Sequence, residues 1–201
     1  MMIKRIFLIF TLCLLGLQLQ AQEYFKVGLK GGVNISGFAG KDAIQGNFKD
    51  RSDIHLGILG EILVAPQFAL QPEIIYSSQG ARSSSHELAE LRGREVTFKV
   101  DYISLPVMLK YFIVPGLSIE AGPRFSFLID SKAEATGSEN ASTLDITNKT
   151  EKFDLGVAGG LGYELPLGIF VQARYLRGFS NIYEDVDYRN SLIQLSIGYK
   201  Y

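Results

Sequence analysis

The chain has 201 residues and a formal net charge of −1, with 21 glycines, 13 phenylalanines, 10 tyrosines and no tryptophan. This length allows one ordinary domain, and near-balanced charge argues against nucleic acid as a partner. Past the N-terminus no window of ~18 apolar residues occurs, which argues against a membrane-spanning helix there.

The first residues read as a targeting segment. Lys4 and Arg5 precede an apolar run over 6–17, in the size range of a signal-peptide core. Ala21 fits as the last residue before cleavage, although Leu19 departs from the usual small-x-small pattern. The sequence predicts a signal peptide over 1–21 and one domain over 22–201; an uncleaved anchor is the alternative. Cleavage removes Lys4 and Arg5 but no acid, which moves the net charge from −1 to −3. Cys13, the one cysteine, follows Leu12 rather than the small residue that precedes a lipoprotein cysteine. The mature chain then has no thiol for a disulfide or a metal.

From there a period of two dominates, the signature of strands with unlike faces. The first strand, 24–35, alternates Phe25, Val27, Leu29 and Val33 with Lys26, Gly28, Lys30, Gly32 and Asn34. A polar loop over 36–52 follows. The second strand, 53–64, sets Ile54, Leu56, Ile58, Ile62 and Val64 against His55, Gly57, Leu59, Glu61 and Leu63. A turn at Pro66 leads to the third, 68–79, with Phe68, Leu70, Ile74 and Tyr76 against Gln71, Glu73, Ser77 and Gln79. A serine-rich loop covers 80–94.

The fourth strand, 95–113, changes parity. Val96, Phe98 and Val100 are apolar at even positions; Ile103, Leu105, Val107 and Leu109 are apolar at odd ones. A bulge near 101–103 would account for the switch. After Pro115 and Gly116 comes the fifth strand, 117–129, and then the longest loop, 130–152. Residues 153–179 form the clearest unit, a hairpin turning at Pro166 and Gly168. Phe153, Leu155, Val157, Leu161 and Tyr163, then Leu167, Ile169, Val171, Tyr175 and Phe179, hold its apolar face. A last loop, 180–190, precedes the eighth strand, 191–201. Pro72, Pro106 and Pro123 each delete a ladder donor and predict local bulges.

Short Pro-containing turns and long polar loops thus alternate strictly along about eight strands of membrane-crossing length. The predicted fold is all-β: an eight-stranded antiparallel up-and-down transmembrane β-barrel with short periplasmic turns and long extracellular loops. Three features favour a membrane barrel over a soluble ligand-binding one. Glycines crowd the polar face, as a narrow lumen requires. Aromatics form two belts: Phe25, Phe68, Tyr163, Tyr199 and Tyr201 near the turns, and Tyr76, Phe127, Phe153, Tyr175 and Phe179 near the loops. A secretion signal precedes the strands.

Several stretches together resemble the PorT-like outer-membrane β-barrel family of Bacteroidetes-type bacteria. They are GLKGGVNISG at 28–37, LQPEIIYSSQG at 70–80, YISLPVMLKY at 102–111, GLGYEL at 160–165, ARYLRGFSNI at 173–182 and the terminal IQLSIGYKY. The resemblance spans nearly all of the mature chain and implies the fold and an outer-membrane location in a Gram-negative cell. The family namesake takes part in protein secretion across the outer membrane, but most members have no assigned role, so no activity carries over. Members commonly carry a charge where this chain has Ser104, which implies that one interior partner is missing here.

The candidate site is a set of inward charges. Glu61 and Glu73 flank the first short turn, and Lys110, Arg124 and Arg174 lie about five to eight residues from theirs, so the spacing puts them in one layer. Buried charges must be paired. These five are expected to form a crosslinked plug, with Lys30 and Glu120 as further members. His55 faces inward near the loops, but with Asp154 or Ser126 it makes too little for a catalytic triad. Asp130, Glu134, Glu139 and Asp145 lack a Ca²⁺-loop spacing. Asn140 opens a sequon, His86 reads as a solvated loop residue, and Arg177 is expected to snorkel to the headgroups. No cofactor is expected.

The reading is a monomeric, plugged, non-enzymatic barrel in outer-membrane lipid, inserted by the barrel-assembly machinery through its C-terminal strand, with a protein partner at the loops. The alternatives are a narrow pore for small solutes and a lipid-modifying barrel enzyme acting through His55.

Overall fold

In the computed structural model, residues 24–40, 48–83, 95–136, 142–147, 150–182 and 188–201 are described. The expected signal peptide with Cys13, His86, Glu139 and the sequon at Asn140 lie outside the described residues. Among the described residues nine strands follow in chain order: β1 (Phe25–Ala39), β2 (Phe48–Ala65), β3 (Phe68–Ser83), β4 (Glu95–Val114), β5 (Leu117–Thr136), β6 (Ser142–Asp145), β7 (Phe153–Glu164), β8 (Ile169–Gly178) and β9 (Arg189–Lys200).

Eight of these close into an antiparallel barrel in the cyclic order β1-β2-β3-β4-β5-β7-β8-β9. The seam between β9 and β1 runs from Gly28↔Lys200 to Ala39↔Arg189. β6 stands outside the cycle and pairs with the far end of β5. Followed around the barrel, the register leads from Lys26 through Glu61, Gln71, Met108, Gly122, Ala158, Leu176 and Leu192 and returns to β1 at Ser36, ten residues on. A shear of that size in eight strands tilts them by about 40°. The interior is then only wide enough for side chains.

The alternation read from the sequence sorts the faces. On β8, Ile169, Val171 and Tyr175 are exposed on the outside, while Phe170, Gln172, Arg174 and Leu176 are buried inside. Leu155, Val157 and Leu161 on β7 and Ile193, Leu195 and Ile197 on β9 likewise point outward. Phe153 and Tyr163, ten residues apart on β7, are separated by about 25 Å along the barrel axis once the strand tilt is allowed for, which is the height of the apolar band of outer-membrane barrels. At the tight turns Gly116 and Gly168 adopt φ of 86° and 83°, a region costly for other residues. Inside, a Cβ on Gly32 or Gly122 would strike the carbonyl of Leu195 or Val107 on the neighbouring strand, so these glycines let the small barrel coil.

Several expectations are corrected. The strands run further toward the loops than 35, 79 and 129, and β2 starts before 53. There the wall continues without an apolar outer face, so the period-two signal fades. The loop read over 130–152 contains the end of β5 and all of β6. β4 does not switch faces: Val96, Val100, Tyr102, Ser104, Met108 and Lys110 are all buried within the barrel. The register does shift at Asp101/Tyr102, but the extra residue lies in β5, where Asp101 faces Asp130 and Tyr102 faces Leu128. β5 accordingly buries Arg124 and Ser126 before the shift and Ser131 and Ala133 after it. Val96 and Ala133 then pack with Phe98, Leu144 and Ile146, which keeps those apolar side chains out of water. Nor do the prolines make bulges. Pro72 pairs Val107, Pro106 pairs Arg124 and Pro123 pairs Val157, with the same register on either side of each. One lost donor is absorbed by the neighbouring bonds.

An arginine in the middle of the outer band tests this orientation. Leu195→Arg should destabilise the barrel by about 2–4 kcal/mol, measured by urea unfolding in phospholipid vesicles.

Candidate functional site

The inward positions nearest the short turns carry most of the lumen's charge. At the centre, Arg174 from β8 makes a two-pronged contact with Glu73 from β3, with Nη1 at 2.8 Å from Oε2 and Nη2 at 2.7 Å from Oε1. Its Nε donates to Glu120 from β5 at 2.5 Å. Lys30 from β1 reaches Glu73 at 2.8 Å, and all four side chains have no solvent exposure. Gln172 ties the group further: it accepts from Lys30 at 3.3 Å and donates to Glu120 at 3.3 Å. Two cations and two anions from four strands make a neutral group across the lumen. Such mutual satisfaction is the condition for keeping charges out of water.

A second group lies closer to the turns. Lys110 binds Glu61 at 2.6 Å, and Lys200 binds the same carboxylate at 2.9 Å. Lys200 also pairs with Glu164, which takes Lys26 at 2.8 Å. Gln71 joins the two groups, accepting from Lys110 at 3.2 Å and donating to Glu73 at 2.5 Å. Six of the seven expected members, Glu61, Glu73, Lys110, Arg174, Lys30 and Glu120, therefore fall in one connected network.

Arg124 does not join them. It binds Asp154 from β7 at 2.5 Å, and Asp154 also accepts from Asn190 at 3.1 Å. The register explains this. Asp154 stands opposite Ser126, two residues nearer the loops, so Arg124 extends along the axis away from Arg174. Counting residues from each turn did not capture that direction. Lys26, Glu164 and Lys200 were missed as members, although each shares the parity of the inward face. They stand at the strand ends, where alternation is least visible. Met108, Ala158, Leu176 and Leu192 form an apolar cluster inside the lumen, at even positions the alternation marked as polar or small.

Toward the loops the lumen is polar, and its charges include the Arg124–Asp154 and Arg51–Asp53 pairs. Asn34 donates to Ser77 at 2.9 Å and accepts from Gln194 at 3.1 Å. His55 Nε2 lies 2.8 Å from Ser196 Oγ, and Ser104 pairs with Ser126 at 2.8 Å. His55, Asp154 and Ser126 are thus committed to different partners and form no triad. His55 Nδ1, Gln79 Oε1, Gln194 Oε1, Asp154 Oδ1 and two Arg124 nitrogens are buried without a protein partner. None of the ion-paired atoms nearer the turns shares that condition. Buried polar atoms of this kind are satisfied by internal water.

Outside, all ten expected belt residues, Phe25, Phe68, Tyr163, Tyr199, Tyr201, Tyr76, Phe127, Phe153, Tyr175 and Phe179, are exposed. Tyr76 donates from its hydroxyl to Asp101 at 3.0 Å, on the loop side. Arg177 is half-buried next to this belt. At the loop end Asp130 pairs with Lys132 and Glu134 with Lys99, each at 2.6 Å, while Asp145 accepts from the Thr147 N–H at 2.9 Å.

Comparison with known proteins adds three findings. Residues 20–184 match the family model described as outer membrane protein beta-barrel domain. Among solved structures the chain is similar to Neisserial surface protein A, at 12% identity over 88% of this chain and 97% of that one, with a TM-score of 0.51. It is similar to Ail, the attachment invasion locus protein of Yersinia pestis, at 14% identity over 89% and 99%, also with a TM-score of 0.51. At these identities the likeness concerns the fold alone. No curated protein matches the chain by sequence.

Removing one member of the central group leaves charges buried and unbalanced. Arg174→Met should cost about 3–5 kcal/mol, read as a lower urea midpoint and an earlier loss of the compact band on unheated gels. Replacing Arg174, Glu73, Glu120 and Lys30 together by apolar residues of similar size should recover most of that loss.

Proposed function

Because the chain belongs to the outer membrane protein beta-barrel domain family, we propose that it serves there as a closed, non-conducting barrel that displays its long-loop end to a protein partner. The neutral group of Arg174, Glu73, Glu120 and Lys30, without solvent exposure, carries this reading. A conducting path would have to part these pairs, and a filled eight-strand barrel has no other room. With the lumen occupied, recognition falls to the loops, the segments on which binding residues are most often carried. A secretion assembly is one such partner within this proposal. The barrel is read as monomeric, delivered by a cleaved signal peptide and inserted through its C-terminal strand. It is read as non-enzymatic, since His55 has a serine on one ring nitrogen and no carboxylate on the other.

A second reading, a narrow pore for small solutes, draws on the partnerless polar atoms in the loop-side half of the lumen. Planar-bilayer recording separates the two. The wild-type barrel should show no steady single-channel openings, whereas replacing Arg174, Glu73 and Lys30 by alanine should produce them. Steady openings in the wild type would favour the pore.

A further inference from the structure

The charges at the short-turn mouth form a chain in which lysine and glutamate alternate: Lys26, Glu164, Lys200, Glu61, Lys110. Each carboxylate holds two lysines, while each terminal lysine holds one carboxylate. The chain therefore carries one positive charge in excess. Its two ends differ. Lys110 is buried, donates also to Gln71, and lies 5.3 Å from the centre of the Phe112 ring. The Lys26 side chain is 43% exposed. A cavity of about 420 Å³ opens at that end, lined by Lys26, Glu61 and Glu164 together with Tyr24, Phe112 and Tyr163. Its volume is within the range of small-ligand sites, and its wall sets aromatic rings beside a few convergent charged groups.

We propose that this vestibule binds a carboxylate carried on an apolar body. The head sits on the Lys26 ammonium, opposite Glu164, and repeats the bridging that Glu61 and Glu164 give Lys200. The body lies against Tyr24, Phe112 and Tyr163. Glu61 and Glu164, which line the cavity, are each already held by two lysines, so a cationic guest would add to a chain with one positive charge in excess, and a neutral one would leave that excess uncompensated. In outer-membrane barrels the short turns face the periplasm, so the carboxylate comes from a periplasmic free acid or from the C-terminus of a peptide. The site lies at the mouth opposite the loops and does not depend on whether the lumen conducts.

The test uses the full barrel in lipid nanodiscs, titrated with N-acetylphenylalanine, its amide, and the peptide Ala-Ala-Phe with a free C-terminus. Amide NMR shifts at Gly116 and Leu165 report on occupancy. The acid should bind with a Kd on the order of 1 mM, and the amide about tenfold more weakly. Tighter binding of the peptide than of the acid would assign the source to a polypeptide C-terminus; equal binding would assign it to a free acid. Lys26→Gln should raise the Kd for the acid to that of the amide, while Lys26→Arg should keep the preference. Heat-modifiable migration shows that each variant is folded. Equal affinity of acid and amide for the wild type, no shifts with either at tens of millimolar, or a preference unchanged in Lys26→Gln would overturn the proposal.

Discussion

Backbone pairing without water is the constraint on which the rest of this structure depends. A strand in hydrocarbon must have both edges bonded, because each unsatisfied N–H or C=O costs several kcal/mol. The seam between β9 and β1 meets that demand. It brings β9 against β1, so the barrel is complete only when β9 is in place. Closure also sets shear and tilt, and through them the width of the lumen. The glycines on the inner face follow from the same geometry, since strands this strongly coiled bring neighbouring carbonyls into the space of a Cβ.

Closure turns the usual distribution of side chains inside out. Leucine, valine and isoleucine occupy the outer band, and the interior receives arginine, lysine and glutamate. Two charges buried together rarely stabilise more than an apolar pair of the same size would. Their value here is directional. Arg174 can satisfy Glu73 and Glu120 only when β8, β3 and β5 stand in one register, and Lys30 adds β1. The group holds the strands in a single arrangement as it fills the lumen.

The two ends of the lumen differ in kind. Toward the turns every ion-paired atom is satisfied, and the odd charge is displayed at Lys26. Toward the loops, the side chains of Gln79, Gln194, His55, Arg124 and Asp154 leave polar atoms without a protein partner. Beyond the outer band the wall rises further, and β6 extends it along one side of β5. The barrel thus has a fully paired ionic base and an upper half that keeps partnerless buried polar atoms, so its two ends differ in chemistry.

Much of this was legible in the residues. The period of two from Phe153 to Tyr163 determined which side chains face lipid, because a strand has no other way to separate two chemistries. Prolines and glycines at the turns set the strand count, and the aromatics expected in the two belts are exposed on the outer face. The central pairs were foreseeable in type, since buried lysine and glutamate need each other. Which carboxylate each cation meets was decided by tertiary structure alone. Arg124 turns to Asp154 rather than joining Arg174, Lys200 closes on Glu61 across the seam, and the register shift lies in β5 instead of β4. Alternation along one strand records the face on which a side chain stands, but height and neighbours come from tilt and shear, which exist only once eight strands have closed.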